Sequence, residues 1–272
     1  MQTATQLKAR ARQFFAALAI GDTDSLAPLV AESYTPHCAR LAGVPVLPAG
    51  RAALLRRLAA RGGIGHQLHR LIADGDHIFA QMRYDGAIPI SGADIFRFDP
   101  AGRIAEHWNS RQPIPQDLAT GQDRFAGGGD PALPMSEARR QEMKKILTSV
   151  LMDMWSKGNA ALVPVFYAPS YIQHNPDMPG GYARIKEIME TEIQKYIAAT
   201  GGDFPVDIHL MGAEGDLIFV YYSIFMAGIN RNAGARSTNT DIFRIDASNR
   251  MIEHWDVLQM ESEPLADDHT LF

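Results

Sequence analysis

A single cysteine, Cys38, occurs in the 272 residues, which excludes an internal disulfide and a cysteine-ligated zinc site. No apolar run reaches the roughly 18 residues that a membrane-spanning helix needs, so no membrane span is expected. The opening stretch MQTATQLKARARQFF spreads its charges through a helical pattern, and no signal peptide is expected there. Positive charge is also short: 26 Lys and Arg stand against 31 Asp and Glu, and no basic stripe offers a footprint for nucleic acid. Walker, G-x-S-x-G and G-x-G-x-x-G patterns are missing, and Gly62-Gly63-Ile64-Gly65 reads as a turn. The expectation is a cytoplasmic globular protein with a small-molecule ligand, without cofactor or metal.

What the chain does contain is an internal repeat. Asp94 to Trp108 reads DIFRFDPAGRIAEHW and Asp241 to Trp255 reads DIFRIDASNRMIEHW, identical at nine of fifteen positions without a gap. Tyr34-x-x-His37 and Gly21 match Tyr171-x-x-His174 and Gly158 at an offset of 137, while His69 and Asp74-Gly75-Asp76 match His209 and Glu214-Gly215-Asp216 at 140. The final block lies at 147, so the second copy carries three extra residues around 44–66 and seven more around 85–93. The predicted domains are 1–122 and 136–272, with a Gly- and Pro-rich linker over 123–135.

Both copies run in the same order. Leu7, Ala11, Phe14, Phe15 and Leu18, and later Met143, Ile146, Val150 and Met154, fall at helical spacing. Short helical pieces follow around Ser25–Val30 and Ala160–Phe166, then third helices near Arg51–Ala60 and Arg184–Ala199. The period then changes to two, predicting strands at Val206–Met211, Leu217–Met226, Asn239–Ile245 and Met251–Leu258. Helices followed by a four-stranded antiparallel meander give an α+β class: two tandem cone-shaped α+β barrels, each a sheet curved around its helices to leave a pocket.

These residues resemble the SnoaL-like polyketide cyclase branch of the nuclear transport factor 2-like superfamily. The carriers are Tyr171-Ile172-Gln173-His174-Asn175-Pro176, Glu214-Gly215-Asp216, Thr240-Asp241-Ile242-Phe243-Arg244 and Ile252-Glu253-His254-Trp255-Asp256-Val257. The resemblance spans nearly all of the second copy and, more weakly, the first. It implies a cone with an acid/base carboxylate inside, cofactor-free chemistry on carbonyl compounds, and dimerisation through the sheet. By position, Asp256 is the implied proton-transfer residue, and His174 and Asp241 line the pocket. Many relatives have a histidine where this chain has Tyr221.

Removing a proton next to a carbonyl needs a base and a donor for the enolate oxygen. Asp256 fits the base, His174 its partner and Tyr221 the donor. Strand alternation places His254 with Asp256 on one face and Glu253 with Trp255 on the other, while Asp241 shares a face with Phe243. Asp241, His254 and Phe243 are therefore candidate substrate contacts. Competing structural roles are an arginine partner or turn cap for Asp241, and packing for His107, His254, His69, His209 and the three tryptophans. A metal site from His174, Asp241 and Asp256 has no supporting ligand spacing.

The copies are unequal. Asn109 stands where the second copy has Asp256, and Gln81 where it has Tyr221, although His37 and Asp94 are kept. An amide takes no proton at neutral pH, so the first pocket (His37, Asp94, Asn109) is expected to be catalytically silent. The halves are expected to form an intramolecular pseudo-dimer, with further homodimerisation open. The leading function is cofactor-independent cyclisation or isomerisation of a hydrophobic carbonyl compound in the second cone. The alternatives are a non-catalytic binding or interaction protein, favoured by the polar stretch Asn230–Asn239, and an epoxide or ester hydrolase. The last needs an Asp–Arg–Asp relay, but Arg244 falls on the strand face opposite Asp241.

Overall fold

The computed structural model describes residues 2–38, 47–114, 123–131, 134–175, 178, 180–225 and 236–260. Pro176 and residues 230–235 of the predicted polar loop lie outside them. The described residues divide into two units, the first ending at Ile114 and the second ending at Met260.

In the first unit, α1 (Ala4–Ile20) starts at a capping box made by Thr3 and Gln6 and stops at Gly21, whose φ of 72° a side chain with a Cβ rarely adopts. Leu7, Ala11, Phe14, Phe15 and Leu18 are all buried, as their spacing requires, each large side chain contributing about 1.5–3 kcal/mol. α2 (Thr23–Leu26), β1 (Val30–Cys38) and α3 (Arg51–Arg61) follow, then the meander β2 (His66–Asp74), β3 (His77–Tyr84), β4 (Ile90–Phe98) and β5 (Ile104–Pro113).

The second unit repeats this order. α4 (Glu137–Ser149) runs into a π-helical segment, Val150–Trp155, before Gly158; α5 (Val163–Phe166) and β6 (Tyr167–Gln173) come next. α6 (Gly181–Ile188), a second π-helical segment at Met189–Ile193 and α7 (Gln194–Thr200) precede β7 (Val206–Glu214), β8 (Leu217–Phe225), β9 (Arg236–Ile245) and β10 (Met251–Met260). Met143, Val150 and Met154 are buried as expected, whereas Leu147 takes the fully buried place beside a half-buried Ile146. Among the described residues no helix is long and apolar enough to cross a membrane.

Each sheet has five strands, ordered β1-β5-β4-β3-β2 and β6-β10-β9-β8-β7, rather than the expected four. The additional strand in each, β1 or β6, pairs parallel with the last strand of its meander. Pro36 and Pro169 interrupt these segments, which an edge strand tolerates, and so the alternation that marks a strand is weak there. β2 and β7 also share a register shift at equivalent residues, His69 and His209, so both histidines sit at a bulge and neither lines a cavity described below.

The segment expected to be a linker is partly built into the second unit. Trp255 Nε1 donates to the Ala126 carbonyl at 2.9 Å, and the buried Arg124 reaches the Asp256 carbonyl at 3.2 Å.

Candidate active site

In both units the repeated block supplies side chains to both sheet faces. In the second, Arg244, Glu253 and Trp255 point away from the cavity. Glu253 accepts from Arg244 Nε at 2.9 Å and His174 Nε2 at 3.0 Å, and His174 lies flat on Trp255 with centroids 5.0 Å apart. The other ring nitrogen of His174 meets the Asp123 carbonyl at 2.7 Å. In the first unit Arg97, Glu106, His37 and Trp108 make the same clamp, with His37 stacked on Trp108 at 4.7 Å. His174 and His37 are thus wall residues rather than cavity residues, which corrects both assignments: they leave the strands on the Trp and Glu side.

The opposite face of the second sheet, with α6 and the two π-helical segments, encloses a cavity of about 290 Å³. Leu151, Trp155, Ile185, Ile188 and Phe204 form much of its apolar wall, and Asp241, Phe243, His254 and Asp256 lie on the sheet side. Asp241 and Asp256 are direct cross-strand partners, as are Phe243 and His254, so the alternation expected for these four residues holds. Tyr221 does not join them. Asp241 is opposite Val220, and alternation then brings Tyr222 into the cavity and turns Tyr221 towards His209 on the other face. The Tyr222 hydroxyl donates to Asp241 Oδ2 at 2.9 Å.

Two more contributors, Asn175 and Gln173, belong to the Tyr171–Pro176 motif, whose sequence alone gives them no role. Asn175 donates through Nδ2 to Asp256 Oδ2, and the Gln173 side-chain oxygen accepts from the Asn175 amide and from His254 Nδ1, both at 3.0 Å. The His254 ring, stacked on Phe243 at 4.3 Å, therefore keeps a proton on Nδ1 and turns Nε2 towards the carboxylates, 3.4 Å from Asp241 Oδ2. Among the described residues Asp241 Oδ1, Asp256 Oδ1 and His254 Nε2 are buried without a hydrogen-bond partner.

Burial lifts the Asp256 carboxyl, His254 and Arg124 pull it down, Asp241 pushes it up, and it settles at about 6. Burial lowers the His254 imidazole, but the facing Asp241 and Asp256 outweigh it and raise its affinity for a proton. Burial beside Asp241 keeps Tyr222 protonated far into the alkaline range. Asp241, His254 and Asp256 each offer one ligand atom within 4.8 Å of the others, a donor set that several divalent cations accept. His254 thus replaces the His174 considered for such a site.

The first cavity, also about 290 Å³, holds Asp94, His107 and Asn109 at the same positions. Its chemistry is used up internally. Asp94 Oδ1 accepts from His107 Nε2 at 2.7 Å and from Arg111 at 2.5 Å, and Oδ2 accepts from the Tyr84 hydroxyl at 2.6 Å. Burial would raise Asp94, but Arg111 and His107 overcome it and hold the carboxyl well below its usual range. Burial lowers the proton affinity of His107 despite Asp94, and its Nδ1 accepts a hydrogen bond from the Tyr34 hydroxyl at 2.9 Å. Gly92 permits this packing, because a Cβ there would lie 2.7 Å from the Tyr84 ring. Of the expected first-pocket residues, Asp94 and Asn109 are in place and His37 is not.

Residues 11–107 match the family model described as SnoaL-like domain. Over these residues the first unit is similar to a SnoaL-like domain. The match falls on the first unit, although the resemblance seen in the sequence was fuller in the second. Similar solved structures include TsrD from Streptomyces laurentii, 18% identical over 41% of this chain and 92% of that one, TM-score 0.34. An LEH-like epoxide hydrolase from M. tuberculosis is 16% identical over 40% of this chain and 84% of that one, TM-score 0.34. IdmH, a candidate polyketide cyclase from Streptomyces antibioticus, is 18% identical over 39% of this chain and 92% of that one, TM-score 0.33. No curated protein matches the chain. Each unit has an α+β architecture, and the two units share one strand order.

Proposed function

We propose that the second unit is a cofactor-independent acid/base catalyst acting on a small hydrophobic carbonyl compound, by aldol-type cyclisation or isomerisation. The observation that carries this reading is Asp256 Oδ1: a buried carboxylate oxygen without a partner among the described residues, at the wall of a largely apolar cavity, on a group titrating near 6. Above that pH Asp256 is ionised and basic enough to take a proton from the carbon next to a carbonyl. Asn175 holds the other carboxylate oxygen and fixes the direction of attack. His254, whose affinity for a proton its two acidic neighbours raise against burial, is placed to offer Nε2–H to the oxygen on which negative charge develops. In isomerisation the proton returns to another carbon of the enolate; in ring closure the enolate carbon attacks a second carbonyl and the proton goes to the alkoxide oxygen that forms.

The test does not depend on knowing the substrate. 2-Tetralone is incubated with the protein in D2O, and loss of its α-proton signals is followed by NMR. The wild type is expected to accelerate exchange and Asp256→Asn to reduce it by about 10²-fold or more, the usual scale of a general base. Equal exchange by the two proteins would refute the assignment. The spacing of Asp241, His254 and Asp256 supports a second reading, a divalent cation site. Metal analysis of the purified protein and exchange after chelation separate the two. Acid/base catalysis predicts substoichiometric metal and unchanged exchange, and a metal site predicts the reverse.

A further inference from the structure

The first cavity is built for something other than proton transfer. Its inner carboxylate, Asp94, is bonded by Arg111, His107 and Tyr84, and its amide Asn109 replaces the base of the second. What distinguishes it is the mouth. Arg57 and Arg61, one turn apart on α3, both line the opening and are exposed, and neither forms an ion pair among the described residues. In the second unit the corresponding rim pairs its own charges, with Arg184 donating to Glu192 at 2.6 Å. Behind Arg57 and Arg61 the wall is apolar, with Phe14, Phe15, Leu54, Leu58 and Ile90, and Ile88 stands 65% exposed at the opening.

We infer that the first cavity is a binding site for a hydrophobic monocarboxylate. The apolar body enters the chamber, and the carboxylate stays at the mouth between the two guanidinium groups. Two arginines one helical turn apart can each donate to one oxygen of a carboxylate, and guanidinium suits that geometry better than a point charge. Asp85 stands on the same rim, 3.9 Å from Arg83, and its negative charge disfavours a doubly charged phosphate ester over a monoanion. Exposed Ile88 has a role in this arrangement: it extends the apolar surface out to the level of the charged head.

The experiment is calorimetric titration of the full chain with 2-naphthoate and with its neutral counterpart 2-naphthalenemethanol, at low and at high salt. The acid is expected to bind about tenfold more tightly than the alcohol at low salt, with the preference shrinking as salt screens the exposed arginines. Arg57→Gln with Arg61→Gln, at exposed positions that leave the core intact, is expected to remove the preference while the alcohol binds as before. Ile88→Glu, which adds a carboxylate to the mouth, is expected to weaken the acid selectively. Equal binding of acid and alcohol by the wild type, no binding of either, or a preference that survives the double substitution would each overturn the inference.

Discussion

Two exchanges between aligned residues separate the cavities. Where the first unit has Asn109 and Arg111, the second has Asp256 and Leu258. In the first, Arg111 neutralises Asp94 and the site is electrostatically at rest. In the second, no arginine among the described residues is bonded to Asp241, and the added Asp256 faces it across the strands. Burial away from water raises Asp256 most, and the facing Asp241 adds to it. Leu258→Arg should therefore return the Asp256 titration, followed by carboxyl NMR, from about 6 towards the ordinary aspartate value and slow 2-tetralone exchange at least tenfold. Asn109→Asp should create no second activity, because Arg111 remains to neutralise any added carboxylate. Stability carries the same signature. Because folding raises the Asp256 pKa from 3.8 to about 6, the folded state is favoured by protonation and loses stability as pH rises across that interval. Asp256→Asn should accordingly leave urea stability almost unchanged at pH 4 and increase it by about 1–3 kcal/mol at pH 8. An equal effect at both pH values would mean that the carboxylate is not held in an unfavourable state.

At the scale of elements, each strand of the repeated block serves two purposes at once. One face of β9 and β10 supplies Asp241, Phe243, His254 and Asp256 to the cavity; the other carries the Arg244, Glu253 and Trp255 clamp that holds His174. Substitutions on the two faces should divide cleanly. His174→Ala should lower stability by about 1–3 kcal/mol through loss of stacking and of two buried hydrogen bonds, yet leave exchange per folded molecule unchanged. Tyr222→Phe should slow exchange, and Tyr221→Phe should not. Thermal unfolding beside exchange rates distinguishes these outcomes, and a catalytic loss in folded His174→Ala would restore the role that its sequence position suggested. The helices differ as well. Leu151 and Trp155 come from one π-helical segment and Glu192 and Ile193 from the other, so both widened turns face the second cavity, while α1 of the first unit is regular.

At the scale of the molecule, the two units hold chambers of one strand order with different side chains at equivalent positions. Much of that was legible in the sequence. The gapless identity of the repeated blocks required one topology twice, and the alternation along DIFR and EHW assigned Asp241, Phe243, His254 and Asp256 to one face. The contrast of Asn109 with Asp256 required unequal chemistry. The helix caps at Gly21 and Gly158 and the apolar spacing of α1 were equally plain, because each rests on residues near one another in the chain. Tertiary structure alone decided the rest. Whether Tyr221 or Tyr222 enters the cavity depends on the register of β8 against β9, and a shift of one residue exchanges the two. The place of His174 depends on β6 joining the sheet parallel to β10, a pairing of residues about eighty apart that leaves no periodic trace. The raised proton affinity of Asp256 likewise arises only once folding sets it opposite Asp241 and removes water from both, since an electrostatic environment is a property of assembled space rather than of neighbours in sequence.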